Sequence, residues 1–463
     1  MEEFAFLPAT EQARLVRERE VSPIELAELY LERIERLDPE LGAFVTVCAE
    51  AALADAREKA GAPAETPFHG VPIALKDLDT TAGIRTTFSC KAFEQNVPDF
   101  DLAHVARTRA AGFVVLGKTN TPEFGTTAFT DSPLNGPCRT PWDLARNAGG
   151  SSGGAAAAVA AGLVGIAQGS DGGGSIRIPA SCCGLFGIKA SRGRVSNAPF
   201  VPGIGLGTTG PLARTTLDAA AYLDVVTGYE WGDPFPAAPP ERPYADEIGV
   251  DPGRLRIALT TEAPIESAVD PACIAAAREA AELLASLGHE VEEAVPDWGG
   301  EGLMEDFLPV WQAIPALYPI ADPSELSPLN QWYLEGAVAT TSPAYAGAIG
   351  RLQLRARRIA SLWADYDLLL TPTLALAPVA VGWETEPDDP REQFDRAAAF
   401  TPFTAAFNVT GQPAVSLPLH WTDEGLPIGV QLVGPPLGEA LLFRISSQLE
   451  AARPWADRRP PHS

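Results

Sequence analysis

Gly70-Val71-Pro72-Ile73-Ala74-Leu75-Lys76-Asp77 is the stretch that decides how this chain folds. A run of five apolar residues is too short for a helix face but suits a strand buried on both sides, and here it stops at a cation. Phe113-Val114-Val115-Leu116 repeats the pattern. Residues 155–161, almost all alanine, read instead as a helix of small residues that can pack very close to its neighbours. Short apolar strands alternating with helices predict an α/β protein whose sheet is covered on both faces.

Outward from this centre the signals are local. Ser22-Pro23-Ile24-Glu25 combines an N-cap serine, a proline at the first helical position and a glutamate three residues after the cap, which predicts a helix start. A second, alanine-rich helix is expected over residues 49–59. The proline-rich residues 231–245 read as a connecting loop, 255–259 as a strand and 271–287 as an amphipathic helix ending at Gly288. Trp298, Phe307, Trp311, Tyr318, Trp332 and Tyr333 fall within residues 298–345, where they form core or a lid over an apolar substrate. Residues 367–372 and 413–433 supply further buried strands.

The chain has 463 residues and a formal charge of −26, which argues against a nucleic-acid groove and against binding to an anionic membrane. Six cysteines, including the adjacent Cys182 and Cys183, contain no C-x-x-C pair and read as buried reduced thiols. The acidic Met1-Glu2-Glu3 start lacks the basic opening of a secretory signal, and no apolar run is long enough to span a bilayer, so a cytoplasmic location is expected. Only five of the 34 cations are lysines: Lys59, Lys76, Lys91, Lys118 and Lys189.

Two pattern matches mislead. Gly112 to Thr119 fits the phosphate-loop formula, but Phe113-Val114-Val115-Leu116 fills with bulk what must be a small exposed loop, so a buried strand is expected there. Gly149-Gly150-Ser151-Ser152-Gly153 fits the nucleophile elbow, yet the preceding residues are polar and turn-like, and only His289, His420 and His462 remain downstream to act as base.

A serine that cuts amides without histidine needs another base, and a desolvated lysine qualifies. An ammonium in water has a pKa of about 10.4, and burial can lower it by several units. Arginine cannot take this part, because its guanidinium stays protonated in proteins. Lys76 stands at the end of an apolar strand where burial is expected; the alternative reading pairs it with Asp77 or Asp79. The three glycines of Asp171-Gly172-Gly173-Gly174-Ser175-Ile176-Arg177-Ile178-Pro179 let backbone N–H groups converge on one point, as holding an oxyanion requires.

Taken together, the segments 70–77, 117–120, 149–154 and 171–179, continuing through Cys183-Gly184-Leu185-Phe186-Gly187-Ile188-Lys189, closely resemble the amidase signature family. Ser151 and Ser175 are 24 positions apart, as the family's catalytic pair is. The resemblance implies a single α/β domain, with a large mixed and mostly parallel β-sheet sandwiched between layers of α-helices. Within it, residues 1–60 would form an N-terminal helical segment, 66–228 the catalytic core, 230–365 a variable substrate-pocket or lid region, and 366–450 the strands and helix that complete the core.

By the same resemblance Ser175 is the nucleophile, Ser151 the bridging serine after a cis peptide bond, and Lys76 the base. The backbone of Gly172, Gly173, Gly174 and Ser175 forms the oxyanion hole, and the Gly125 carbonyl faces the substrate. Gly172 stands where most members carry Ile or Thr, which loosens the loop, and Ala190-Ser191 replaces Pro-Thr.

The implied activity is that of a stand-alone amidase or acylamidase, hydrolysing the carbon–nitrogen bond of linear amides, and aryl amides, esters or carbamates would fit the same site. The alternative is the glutaminase subunit of a tRNA-dependent amidotransferase; Thr401 falls where that subunit carries an acidic residue for glutamine's amino group. A non-catalytic protein would have no need of Lys76, Ser151 and Ser175 together. No cofactor or metal is implied, the expected partner is a small-molecule amide, and the expected state is monomer or homodimer.

Overall fold

The computed structural model describes residues 2–200 and 205–463. Met1, from the acidic start, and residues 201–204, from the expected catalytic core, lie outside them. The described strands are β1 (Phe44–Val47), β2 (Pro72–Lys76), β3 (Val114–Thr119), β4 (Ile166–Asp171), β5 (Phe186–Lys189) and β6 (Thr208–Ala213). They continue as β7 (Arg256–Leu259), β8 (Glu290–Glu293), β9 (Leu368–Pro372), β10 (Ala414–Trp421) and β11 (Pro427–Val433). All join one eleven-stranded sheet in the order β1-β3-β2-β4-β6-β5-β10-β11-β9-β7-β8.

The sheet is mixed, as expected, but parallel pairing is not its majority. Six of the ten ladders are antiparallel, among them β4 with β6 and β10 with β11. The parallel part is split into β3-β2-β4 on one side and β8-β7-β9 on the other. Buried parallel and buried antiparallel strands share one apolar composition, so the runs alone do not tell them apart.

Both faces are covered. Ile73 and Leu75 of β2 belong to one apolar cluster, with Tyr222 and Leu284 from helices, while Ala74 between them belongs to another, with Tyr30 and Ala157. Val115 and its neighbours Val114 and Leu116 divide in the same way, so the period-two pleat places each strand in two cores at once. The phosphate-loop match is accordingly a buried strand.

Local expectations hold at the helix starts. Glu25 N–H donates to Ser22 Oγ at 3.1 Å and Ser22 N–H donates to Glu25 Oε2 at 2.8 Å, a closed capping box. The alanine-rich helix Gly153–Ala160 is buried along its whole length and packs on β4. Helices Ala49–Ala60 and Pro271–Ser286 also form. All six cysteines are free, and no described helix is long and apolar enough to cross a membrane.

The sheet ends differently on its two sides. β1 is an edge strand whose Val45 carbonyl and Thr46 hydroxyl accept from the Arg85 guanidinium at 3.2 Å each. β8 reads Glu290-Val291-Glu292-Glu293, with half-exposed to exposed side chains.

Candidate active site

β2 and β4 are parallel neighbours, so Lys76 and Asp171, their last residues, come to one edge of the sheet. Carboxyl ends of adjacent parallel strands are the usual place for a site in such sheets, because the loops that leave them diverge and open a crevice. The loop 172–175 leaves β4 there and leads into helix Arg177–Cys183. Ser151 reaches the same edge from the start of helix Gly153–Ala160, after a cis Gly150–Ser151 peptide bond.

Lys76 Nζ lies 2.6 Å from Ser151 Oγ, and Ser170 Oγ is its second close neighbour at 3.1 Å. The side chain is fully buried. Burial brings the ammonium down to about 7 against the opposing pull of Asp79 and Asp171, so a neutral amine is populated near neutral pH. The alternative pairing with Asp77 fails, since Asp77 spends its carboxylate on Thr87.

Burial alone does not single out this lysine. Lys118 and Lys189 are just as buried; burial lowers both, Lys189 to about 7, with Arg177 adding to the effect there. What separates the three is the partner: Lys118 bonds the Asp79 carbonyl and Thr81, Lys189 bonds the Ala190 carbonyl, and only Lys76 meets a serine hydroxyl.

Ser175 is held beside Ser151 through the backbone, where Ser152 N–H donates to the Ser175 carbonyl at 3.1 Å. Among the described residues no hydrogen bond joins the two serine hydroxyls, and no histidine bonds either serine. Gly125, at φ 70°, borders the pair: a Cβ there would fall 3.0 Å from Ser151 Oγ and 2.7 Å from Leu78.

The glycine loop departs from the four-donor expectation at one position. Gly174 N–H donates to Asp171 Oδ1 at 2.8 Å, so it braces the loop instead of facing a substrate. Gly174 sits at φ 133°, and a Cβ would lie 2.4 Å from Thr404 Oγ1, which demands glycine there on both counts. Among the described residues the N–H groups of Gly172, Gly173 and Ser175 donate no hydrogen bond within the protein.

Beneath the loop is a network whose roles the sequence did not disclose. Arg177 Nε and Nη2 donate to Asp171 Oδ2 and Oδ1 at 3.0 and 2.9 Å. Its remaining donors reach the Thr404 carbonyl, Gln431 and Asn408. Both charges are fully buried. Burial pushes the Asp171 carboxyl up, and the Arg177 guanidinium outweighs it, holding the group well below the usual carboxylate range. The spacing of Asp171 and Arg177 was visible in the motif; Thr404, Asn408 and Gln431 lie more than 220 residues away and leave no local signal.

Above Ser175 opens a cavity walled by Phe307, Trp311, Tyr333 and Phe394, with Thr127 and Thr401 the main hydroxyls. The aromatic residues of 298–345 therefore divide. Phe307, Trp311 and Tyr333 line the cavity, Tyr318 stacks on Phe124 at 4.3 Å, and Trp298 packs against Phe407. No lining side chain among the described residues is charged, and Thr401 donates its hydroxyl to the Ala397 carbonyl at 2.9 Å.

The sequence profile of the Amidase family matches residues 25–303 and 316–443. The 6-aminohexanoate-cyclic-dimer hydrolase of Paenarthrobacter ureafaciens is 40% identical over 479 residues, covering 98% of this chain and 96% of that protein. The solved structure of a 6-aminohexanoate cyclic dimer hydrolase complexed with substrate is similar at a TM-score of 0.94 and 37% identity, over 99% of each chain. A bacterial aryl acylamidase of the amidase signature enzymes is similar at a TM-score of 0.88 and 26% identity, over 97% of each chain.

Proposed function

Since the chain belongs to the amidase family, we propose that it is an amidohydrolase that opens the carbon–nitrogen bond of a small linear amide through an acyl-enzyme on Ser175. The contact that carries this reading is the 2.6 Å approach of the buried Lys76 amine to Ser151 Oγ. Neutral Lys76 takes the Ser151 proton as Ser151 takes that of Ser175, and the Ser175 oxygen attacks the carbonyl. Charge on the tetrahedral oxygen is met by the N–H groups of Gly172, Gly173 and Ser175. Ser151 then returns a proton to the leaving nitrogen, the carbon–nitrogen bond breaks, and water hydrolyses the acyl-enzyme by the same relay run in reverse.

The uncharged, aromatic cavity supports an apolar acyl or aryl group. Free glutamine, the substrate of the amidotransferase reading, would bring an ammonium and a carboxylate to walls with no opposite charge. The cyclic amide named for the cyclic-dimer hydrolase fits the same chemistry, with the leaving amine still tethered to the acyl group.

A fluorophosphonate probe tests the nucleophile: labelling is expected at Ser175 and lost in Ser175→Ala. A panel of alkyl anilides, a cyclic diamide and glutamine tests the substrate class, with anilides expected to turn over and glutamine not. Glutamine turnover by this chain, with none of the anilides, would overturn the assignment of substrate class.

A further inference from the structure

Trp311 lies on helix Leu303–Gln312, 136 residues after Ser175 in sequence, yet it bonds one backbone segment beside Ser151 and Ser175 and faces another across the cavity. Its indole Nε1–H donates to the Thr126 carbonyl at 2.8 Å in a buried bond, next to Gly125. On the other side its six-membered ring faces the glycine loop. A Cβ at Gly172 would be 3.5 Å from Trp311 Cη2 and Cζ3, and one at Gly173 would be 3.5 Å from Cη2, with Trp311 the nearest neighbour in both cases. Phe307, one turn earlier, stacks on the indole at 5.1 Å and fixes its plane.

We propose that Trp311 is a positioning residue for acyl transfer, tying the oxyanion loop to the Gly125–Thr126 loop, and that Gly172 is the small partner that leaves room for the indole. The proposal rests on the acyl-transfer reading of Ser175. Neither Gly172 nor Gly173 has a positive φ, so their lack of a side chain answers to space and not to backbone conformation. A methyl at 172 would meet the ring at ordinary contact distance. The branches of an isoleucine extend farther and would have to enter the volume the indole occupies. The loop that seemed loosened by a glycine in the sequence is thus buttressed by a ring from another helix.

The alternative for Trp311 is a plain wall that touches the acyl group and nothing else. The two differ in kinetics. A wall acts through substrate size, and its loss changes KM most for long acyl chains. A residue that aims the N–H donors acts on the transition state, and its loss lowers kcat for every acyl chain.

The experiment measures kcat and KM on anilides of two to eight acyl carbons for Trp311→Phe, which keeps a ring and loses the N–H, and for Gly172→Ile and Trp311→Ala alone and combined. Trp311→Phe is expected to lower kcat by roughly tenfold to a hundredfold at every chain length, with KM within about twofold. Its fluorophosphonate labelling rate at Ser175 should fall by a similar factor, because the phosphonyl oxygen needs the same donors. Gly172→Ile should lower kcat, and the Gly172→Ile/Trp311→Ala double variant should recover part of that loss.

Wild-type kcat in Trp311→Phe, or a KM effect confined to long chains, would overturn the proposal, as would strictly additive losses at 172 and 311. Trp311→Phe carries the test even if the bulkier changes do not fold. Failure of the underlying reading is separately visible: an unlabelled Ser175 in the wild type, with full turnover by Ser175→Ala, would dismiss acyl transfer itself.

Discussion

Beneath the glycine loop, around Asp171 and Arg177, the site rests on a floor that is polar and fully buried, with each guanidinium nitrogen committed to a named acceptor. Around Phe307 and Tyr333 the wall is apolar, and its aromatic contacts are Phe307 on Trp311 and Tyr333 on Phe394. The difference matters because a buried hydrogen-bond network fails as a unit when one partner goes, whereas an apolar cluster gives way in proportion to the volume removed. On the proposed mechanism the floor holds the loop that carries the chemistry, and the wall changes substrate preference without abolishing it.

The sharpest break falls on the proposed nucleophile. Ser175→Ala should reduce kcat/KM on an anilide by on the order of 10⁴- to 10⁶-fold, leaving only what binding and the N–H donors supply. Turnover within tenfold of the wild type would place the chemistry elsewhere.

Next comes the proposed base, where a loss of about 10³-fold is expected for Lys76→Ala. The sign of the pH dependence follows from the lowered value of about 7. Below it Lys76 holds a proton and cannot accept one from Ser151, so kcat/KM should rise with pH through about 7 and then level off. Lys76→Arg, a permanent cation, should stay inactive across that range, and a wild-type profile in either variant would break the relay.

A third prediction concerns the floor as structure. Arg177→Met strands the Asp171 carboxylate in a dry site and should cost about 3–5 kcal/mol of unfolding free energy in urea. A cost below about 1 kcal/mol, the scale of an exposed ion pair, would erase the contrast between floor and wall. The smallest effect is expected at the wall itself. Phe394→Leu should keep kcat within a few-fold while shifting the preference between short and long acyl chains by about tenfold; an unchanged preference would remove Phe394 from substrate recognition.

What the sequence disclosed follows the same division. Strands β2 and β3, the capping box at Ser22 and the serine–lysine set were legible because each lies within a short window with its own chemical requirement. β6 went unread because Thr208-Thr209-Gly210-Pro211-Leu212-Ala213 carries a glycine and a proline that ordinarily argue against a strand, a cost its pairing with β4 and β5 overrides. The antiparallel majority was hidden for a related reason, since strand direction is a property of connections. Burial also made three lysines look alike, and only the distance from Nζ to a serine hydroxyl singled one out. The wall residues were visible as aromatics, but which of them face the cavity depends on how helices far apart in sequence pack against one another.

The two ends of the sheet bear on a different property, namely how the molecule behaves when crowded. An eleven-stranded sheet with free edges is a template for polymerisation, because unpaired backbone groups accept a strand from any neighbour. At β1 the Arg85 guanidinium bonds the Val45 carbonyl and the Thr46 hydroxyl, placing a cation against the edge strand. At β8 Glu290 pairs with Arg254 at 2.7 Å and both Glu290 and Glu292 lie within 4 Å of the Arg256 guanidinium, so the edge presents solvated charges of both signs. Both ends thereby carry charge where an incoming strand would have to dock, which disfavours self-association by backbone pairing.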